Sequence, residues 1–259
     1  MDAILLAMLI IGGATAFGGV GVLVGRRLIR NHVAAFHNEV VISLFAAAGV
    51  VYAVLLGFLV VVVWEAYDDA HRNVAEEAST LVPLYRLTYG MKADEGAEMR
   101  TLIRRYAQSV ITDEWPTLGT NSGGSNSARR AIGDIDRVFA KMDPAERAAD
   151  AVVDAEFLRT KSAVVASRNE RLMEASDSIP WAMWWGAVGG GIIVMAMSFF
   201  IYMERAGPHV IMASLMGSLI GLLLFIMVVL SNPFAGPLAL GPGHFHAALQ
   251  VMDADDRGN

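Results

Sequence analysis

A long uncharged run of the chain, with the residues that follow it, is Val41-Ile-Ser-Leu-Phe-Ala-Ala-Ala-Gly-Val-Val-Tyr-Ala-Val-Leu-Leu-Gly-Phe-Leu-Val-Val-Val-Val-Trp-Glu-Ala-Tyr-Asp-Asp69. Its first 24 residues, from Val41 to Trp64, contain no ionisable side chain. At about 1.5 Å per residue such a helix reaches about 36 Å, which crosses a hydrocarbon core of roughly 30 Å with some tilt. Trp64 and Tyr67 suit a membrane–water interface, and charged residues begin at Glu65. We therefore predict a membrane-spanning helix.

Three other runs resemble this one in length and polarity: Ala3–Gly25, Trp181–Met203 and His209–Leu230. Hydrophobic residues make up 55% of the 259-residue chain and charged residues only 18%, which is below the usual quarter for soluble domains. The predicted fold is an all-α membrane protein with four transmembrane helices. A long helical extramembrane insert lies between spans 2 and 3.

Four segments follow from this division of the chain. They are the first two transmembrane helices (1–64), a helical extramembrane domain (65–179), the last two transmembrane helices (180–230) and a Pro/Gly-rich tail (231–259). In the insert, hydrophobic spacing predicts helices over 66–89, 94–115, 128–141 and 145–177. Asp143-Pro-Ala-Glu146 has the pattern of a helix start, and the tail is expected to form a helical turn or two over 244–252. The arginines at positions 100, 104 and 105 are expected on a solvated face.

Basic residues in the short loops predict the orientation. The loop Arg26–Glu39 carries three arginines and the loop Glu204–Pro208 carries one, whereas the N-terminal flank has none. The positive-inside rule places both short loops in the cytoplasm, with the insert and both termini outside it.

Small residues recur every four positions on two spans and predict close helix packing. They are Gly49, Ala53 and Gly57 on the second span, and Ala213, Gly217 and Gly221 on the fourth.

The sequence argues against several classes of function. No ionisable residue lies within Ala3–Gly25, Val41–Trp64, Trp181–Met203 or Val210–Leu230, so the usual markers of ion-coupled transport are missing. We find no catalytic constellation, and the chain has no cysteine. The only closely spaced histidine pair, His244-x-His246, lacks a third ligand at helical spacing, so neither a metal nor another cofactor is predicted. A net charge of −6 gives no reason to expect a nucleic acid partner.

The exit of the second span combines acidic and apolar residues. If several copies arrange this helix around an axis, its carboxylates form rings at a pore mouth and its large apolar residues form a constriction. The predicted pore-lining or mouth residues are Leu55, Phe58, Val62, Glu65, Asp68 and Asp69, with Glu76 and Glu77 further along. An ordinary solvated helix surface beside a membrane is the alternative.

Several segments resemble a bacterial bestrophin-like domain of unknown function. They are Tyr52-Ala-Val-Leu-Leu-Gly-Phe58, Trp64-Glu-Ala-Tyr67, Ala75-Glu-Glu-Ala-Ser-Thr-Leu81, Glu174-Ala-Ser-Asp-Ser-Ile-Pro-Trp181, Ile220-Gly-Leu-Leu-Leu-Phe225 and Asn232-Pro-Phe-Ala-Gly-Pro-Leu238. The resemblance implies an oligomeric anion channel whose second span lines the pore and whose large domain is cytoplasmic. The acidic mouth favours cations instead, and the loop arginines place the insert outside.

The leading hypothesis is a homo-oligomeric, bestrophin-like ion channel of the bacterial inner membrane, with the lipid bilayer and inorganic ions as partners. Its ion selectivity stays open. The alternative is a non-conducting sensor or scaffold whose helical insert binds a partner or a small ligand.

Overall fold

The computed structural model of the chain describes residues 3–29, 35–119, 124–142, 151–177 and 179–258. The helix start predicted at Asp143–Glu146 lies outside the described residues. Within them the chain is helical and contains no strand, which confirms the predicted all-α class.

Ten α-helices are described: α1 (Ala3–Ile29), α2 (Ala35–Leu87), α3 (Ala93–Ser109), α4 (Trp115–Leu118), α5 (Asn126–Lys141), α6 (Ala151–Ser176), α7 (Trp181–Trp184), α8 (Gly190–Phe199), α9 (Ala206–Leu230) and α10 (Gly243–Gly258). A 3₁₀ turn, Thr88–Gly90, follows α2. Two π-helical segments join neighbouring helices, Val110–Glu114 between α3 and α4 and Trp185–Gly189 between α7 and α8.

Four helical stretches of the described chain are long and apolar enough to cross a membrane. They are Ala3–Arg27, Asn38–Gly90, Trp181–Phe199 and Ala206–Leu230, which confirms the four predicted spans. The second stretch belongs to a continuous helix of 53 residues, because the sequence keeps a helical pattern beyond the apolar run.

The chain divides into two compact units. The first takes Met1–Tyr67, Ser178–Asn232 and Gly236–Leu238, and the second takes Asp68–Asp177, Pro233–Ala235 and Ala239–Asn259.

In the first unit, α1 packs along α9 at very short distance. A Cβ atom added to Gly18 would lie 2.3 Å from the Ala213 carbonyl oxygen, and one added to Gly217 would lie 2.3 Å from the Ala14 carbonyl oxygen. Only glycine permits such an approach between two backbones.

The second unit has its own hydrophobic core, formed by α3, α5, α6, α10 and the end of α2. Tyr85, Tyr106, Phe157 and Phe245 are fully buried there. The tail supplies Phe245 through α10, so the tail helix is longer than the expected turn or two and packs as part of this unit. The hydrophobic packing of that face stabilises the helix.

Candidate functional site

The membrane-spanning part of α2 has a narrow buried face and a broad exposed one. Tyr52, Leu56, Leu59 and Val63 recur at helical spacing and are almost fully buried within the first unit. The predicted pore residues Leu55 and Val62 flank this stripe and are 40% and 43% exposed, whereas Phe58 lies further round the helix and is 68% exposed. Glu65 is exposed as well. The structure thus leaves these side chains available to lipid or to other copies of the chain.

Tyr52 anchors α2 to the third span. Its hydroxyl donates a hydrogen bond of 2.8 Å to the Ala187 carbonyl, inside the π-helical segment Trp185–Gly189. A Cβ atom on Gly190 would lie 2.7 Å from the Tyr52 ring, and one on Gly191 would lie 2.8 Å from its hydroxyl. The glycines of the third span therefore make room for the ring. Sequence analysis missed this contact because a π-helical insertion has no reliable local signature.

The predicted packing residues of the fourth span contact another helix of the chain, whereas, among the described residues, those of α2 face open space. Gly217 and Gly221 approach α1 closely, as a Cβ on Gly221 would lie 2.9 Å from the Ile11 Cα atom, and Ala213 is buried. On α2, a Cβ on Gly49 or Gly57 meets no atom within 4 Å, and Ala53 is exposed. For Gly49, Ala53 and Gly57, close packing stays a prediction about a neighbouring subunit.

In the second unit, the predicted mouth carboxylates have a basic neighbour. The Arg72 guanidinium forms ion pairs with Asp68 at 2.8 Å and with Asp69 at 2.5 Å. All three side chains are largely exposed, so each pair is weak, but Arg72 offsets part of the local negative charge. Glu76 is exposed, whereas Glu77 is fully buried and therefore unsuited to a ring at a pore mouth. That part of the prediction was wrong.

Glu77 belongs to a buried charge cluster, which we define as Glu77, Tyr106, Glu114, Arg168 and Arg171. Nε of Arg171 donates to Glu77 at 2.7 Å, and its Nη2 donates to Glu77 at 3.1 Å and to Glu114 at 2.7 Å. Arg168 donates to the other oxygen of Glu114 at 2.6 Å, and the Tyr106 hydroxyl donates to Glu77 at 2.5 Å. Two arginines thus face two carboxylates, and the formal charges cancel.

Burial and charge act together on these groups. Burial raises the pKa of Tyr106 well above its ordinary value, and the Glu77 charge raises it further. Burial alone would raise the pKa of Glu114, but the hydrogen bonds and charges of Arg168 and Arg171 hold it below its ordinary value. Glu114 therefore stays ionised at neutral pH, and Tyr106 stays neutral.

Sequence analysis missed the cluster, although a signal exists. On α6 the buried positions Phe157, Thr160 and Val164 are spaced by three and four, and Arg168 and Arg171 continue the same spacing. An arginine at the inward position of a helix requires a buried partner. The π-helical segment Val110–Glu114 supplies one, because its last residue is the buried Glu114.

A second polar contact joins α2 and α6. Asn73 donates a hydrogen bond through Nδ2 to Oε1 of Glu174, whose other carboxylate oxygen is buried without a partner among the described atoms. Burial raises the pKa of Glu174 from 4.5 to about 7, and the charges of Asp69 and Glu170 contribute in the same direction. Near neutral pH this carboxyl is therefore divided between its protonated and ionised forms.

Of the three arginines expected on a solvated face of α3, Arg105 is exposed, but Arg100 and Arg104 are partly buried. Arg104 forms ion pairs with Asp253 and, at 2.7 Å, with Asp256, and only 22% of its side chain is exposed. Asp256 also accepts hydrogen bonds from Tyr85 and Tyr89, each 2.7 Å long. These contacts hold the end of α10 on the second unit. Arg100 lies 4.5 Å from the centre of the Tyr89 ring.

Metal-binding side chains and the histidine of the fourth span also bear on the chemistry of this protein. In the part of the chain that is described, no three His, Cys, Asp or Glu side chains come together as a metal site. His209 lies inside the fourth candidate span, buried, with Nε2 3.1 Å from the Ser198 carbonyl oxygen. His209 directly precedes the uncharged stretch Val210–Leu230, and its sequence context predicts no role for it.

Comparison with known proteins gives matches to one family and to several solved structures. The model of the bestrophin-like domain matches residues 12–245. Two crystal structures of a bacterial bestrophin homologue from Klebsiella pneumoniae, each with one substitution, are 10% identical to this chain. One covers 96% of this chain and 99% of its own, with a TM-score of 0.70. The other covers 96% and 97%, with a TM-score of 0.74.

A crystal structure described as a membrane protein is also similar, with 9% identity, coverage of 95% and 97%, and a TM-score of 0.70. No match was found among curated proteins. At these identities the structures support a shared fold alone. The family model spans most of the sequence, so the chain belongs to the bestrophin-like family.

Proposed function

We propose that the protein is a homo-oligomeric ion channel of the bacterial inner membrane whose pore is lined by α2. The observation that carries the proposal is the division of α2 into a narrow buried stripe and a wide exposed face. The buried stripe, from Tyr52 to Val63, already supplies its contacts within the chain. Leu55, Phe58 and Val62 then remain to line an axis shared with other copies.

Several subunits are needed because one chain supplies one such helix. Membership of the bestrophin-like family supports a role as an ion channel. The exposed small residues Ala53 and Gly57 offer a surface on which a neighbouring helix packs closely. Phe58 forms a hydrophobic constriction, and the carboxylates of Glu65, Asp68 and Asp69 form acidic rings beyond it. The exposed Arg72 weakens the rings at Asp68 and Asp69, which leaves Glu65 as the stronger candidate for ion selection.

For the orientation, we retain the arrangement that the loop arginines favour, with the insert and both termini outside the cytoplasm. Single cysteines introduced at exposed Glu98 of the insert and Arg205 of the short loop test it. Only the first is then labelled by an impermeant maleimide in intact spheroplasts.

Recording from purified protein in planar bilayers tests the proposal. We expect discrete conductance steps. Phe58→Ala should raise the conductance because it widens a constriction, and Glu65→Gln should lower the permeability of cations relative to anions. Matched controls are Ile211→Ala, an exposed apolar residue of another span, and Glu98→Gln, an exposed carboxylate of the insert.

Absence of conductance would contradict the channel, as would currents that neither Phe58→Ala nor Glu65→Gln changes. Absent conductance together with a stable monomer in mild detergent would instead favour a non-conducting sensor or scaffold.

A further inference from the structure

Two neighbouring cavities open along α1 in the first unit. The first, which we call the head cavity, has a volume of about 500 Å³. The second, which we call the tail groove, has a volume of about 760 Å³. The head cavity is lined by residues that include Arg26, Arg27, Tyr202 and Met203. The tail groove is lined by residues that include Gly13, Phe17, Val20, Val24, Phe199 and Phe200. The two share Gly25, Phe199 and Phe200, so they form one continuous depression with a basic end and an apolar end.

The basic end is organised by the protein itself. Arg26 donates through Nη1 to the Met203 carbonyl at 2.7 Å and through Nη2 to the Glu204 carbonyl at 3.2 Å, so its guanidinium is held in place. Arg27 is exposed at the same cavity. The described lining of the head cavity contains no acidic side chain. This end therefore carries a positive charge that is complementary to an anion.

The apolar end is long enough to span one membrane leaflet. From Gly13 to Gly25 the helix rises about 18 Å at 1.5 Å per residue, compared with about 15 Å for half of a 30 Å hydrocarbon core. Glycines create the depression: a Cβ on Gly21 would lie 2.1 Å from the Phe199 ring, so the ring rests on the α1 backbone. No lining residue of the tail groove is charged.

We propose that this depression binds one anionic glycerophospholipid per subunit, with its phosphate at Arg26 and Arg27 and an acyl chain in the tail groove. Charge complementarity selects the headgroup, and the continuity of the basic and apolar ends requires a ligand that carries both parts in one molecule. A free phosphate would match the charge of the head cavity but leave the tail groove empty. An apolar helix of a second copy would fill the tail groove but leave the charge of the head cavity without a partner.

Native mass spectrometry of the purified protein in mild detergent tests the proposal. Phosphatidylglycerol and phosphatidylcholine with identical acyl chains are added in turn. The wild type should retain about one phosphatidylglycerol per subunit in preference to phosphatidylcholine. Arg27→Gln should weaken retention of phosphatidylglycerol about fivefold and that of phosphatidylcholine less, because the choline group offsets the charge of its phosphate. Arg205→Gln, an exposed arginine of the loop that does not line the cavity, should change neither.

The apolar end is tested with a pair of neighbouring glycines. A Cβ atom added to Gly12 or to Gly13 meets no atom within 4 Å, so both positions accept a larger side chain, but only Gly13 lines the tail groove. Gly13→Leu should lower retention of both lipids, and Gly12→Leu should lower neither. Equal melting temperatures of the two variants establish that the difference is not one of folding.

Four results would overturn the proposal. These are equal retention of the two lipids by the wild type, equal effects of Arg27→Gln and Arg205→Gln, displacement of the lipid by inorganic phosphate, and a change of subunit number in Gly13→Leu. The third result would indicate a site for a free anion, and the fourth a groove covered by a second copy. Lipid retention by a protein that does not conduct would leave the proposal intact, because it does not depend on a pore.

Discussion

At the scale of single residues, the most demanding feature is the burial of four formal charges in the second unit. Arg171, Glu77 and Glu114 are completely inaccessible to solvent. Removing such groups from water costs several kcal/mol for each ion, and their mutual attraction offsets this only when hydrogen bonds are well formed. Five hydrogen bonds within the cluster offset part of this cost, whereas Nε of Arg168 and Nη1 of Arg171 are buried without a partner among the described atoms. The cluster therefore joins α2, α6 and the segment before α4 in one specific arrangement.

Arg171→Ala should be strongly destabilising. It leaves the Glu77 and Glu114 carboxylates buried without their shared partner, and we expect a loss of about 3–5 kcal/mol. Arg159→Ala on the same helix is the matched control, because Arg159 pairs with Glu156 at the exposed surface, where ion pairs contribute little. The melting temperatures of the two variants in mild detergent, compared with that of the wild type, measure both losses of stability. Equal melting temperatures of the two variants would show that the buried charges contribute no more than a surface pair.

Glu174 should give the protein a pH-dependent stability. Its carboxyl has a pKa of about 7 in the folded protein and an ordinary value of 4.5. Between these values the folded protein holds a proton that the unfolded chain has released, so the stability from this group falls as the pH rises from 4.5 and is lost above about 7.

Glu174→Gln keeps an acceptor for Asn73 and removes the titration. At pH 8 the variant should be more stable than the wild type, by about 1–2 kcal/mol after allowance for solvent screening of a partly exposed group, and near pH 4.5 the difference should vanish. Melting curves at both pH values measure it, with exposed Glu76→Gln as the control. A difference that does not change with pH would refute the assignment.

At the scale of elements, the sequence is most informative where one pattern is long. The run from Val41 to Trp64 predicts its helix without help from tertiary structure, and the hydrophobic spacing beyond it predicts the extension of the same helix, which ends at Leu87. The π-helical segments at Val110–Glu114 and Trp185–Gly189 were not predictable, because their extra residue is stabilised by distant partners. For the second of these the partner is Tyr52, more than 130 positions earlier in the chain. Distant partners also explain why Glu77 was mistaken for a mouth carboxylate: Tyr106 and Arg171, which bind it, lie 29 and 94 positions later in the chain.

The tail helix α10 is a second case in which distant contacts decide the structure. Its apolar residues Phe245 and Met252 are fully buried, and Asp256 binds Tyr85, Tyr89 and Arg104. The preceding Pro/Gly-rich segment suggested little helix. The local composition therefore predicted too short a helix, because tertiary contacts stabilise the rest of it.

Asp256→Ala should loosen α10 as a unit. It removes the charged acceptor of three side chains, two of which are tyrosines. We expect a local loss of about 1–2 kcal/mol because the carboxylate is partly exposed. Hydrogen exchange of the amides of α10 should become faster. Asp255→Ala is the control, because Asp255 is bound by Arg86, whereas Asp256 is bound by three side chains. Equal exchange in the two variants would argue against this role of Asp256.

At the scale of the whole molecule, the chain has a fold shared with bacterial bestrophin homologues at only about 10% identity. Such divergence is compatible with one fold. The fold requires spans of sufficient length, small residues at close helix contacts and a helical insert, and many sequences meet these requirements. The four spans, the helical insert and the family were predictable from the sequence. The buried charge cluster was not, since its members come from three separate stretches of the chain. The predicted pore face depends on an assembly of several chains and stays a prediction.

The most direct test of a pore along α2 is chemical modification of single cysteines during current recording. The natural chain has no cysteine, so each introduced thiol is unique. Phe58→Cys places the thiol on the exposed face, and Leu56→Cys, two positions earlier, places it on the buried face. We expect a charged methanethiosulfonate reagent to change the current of Phe58→Cys and to leave that of Leu56→Cys and of the natural protein unchanged. An unchanged current for Phe58→Cys, with its labelling confirmed by mass, would contradict a pore lined by α2.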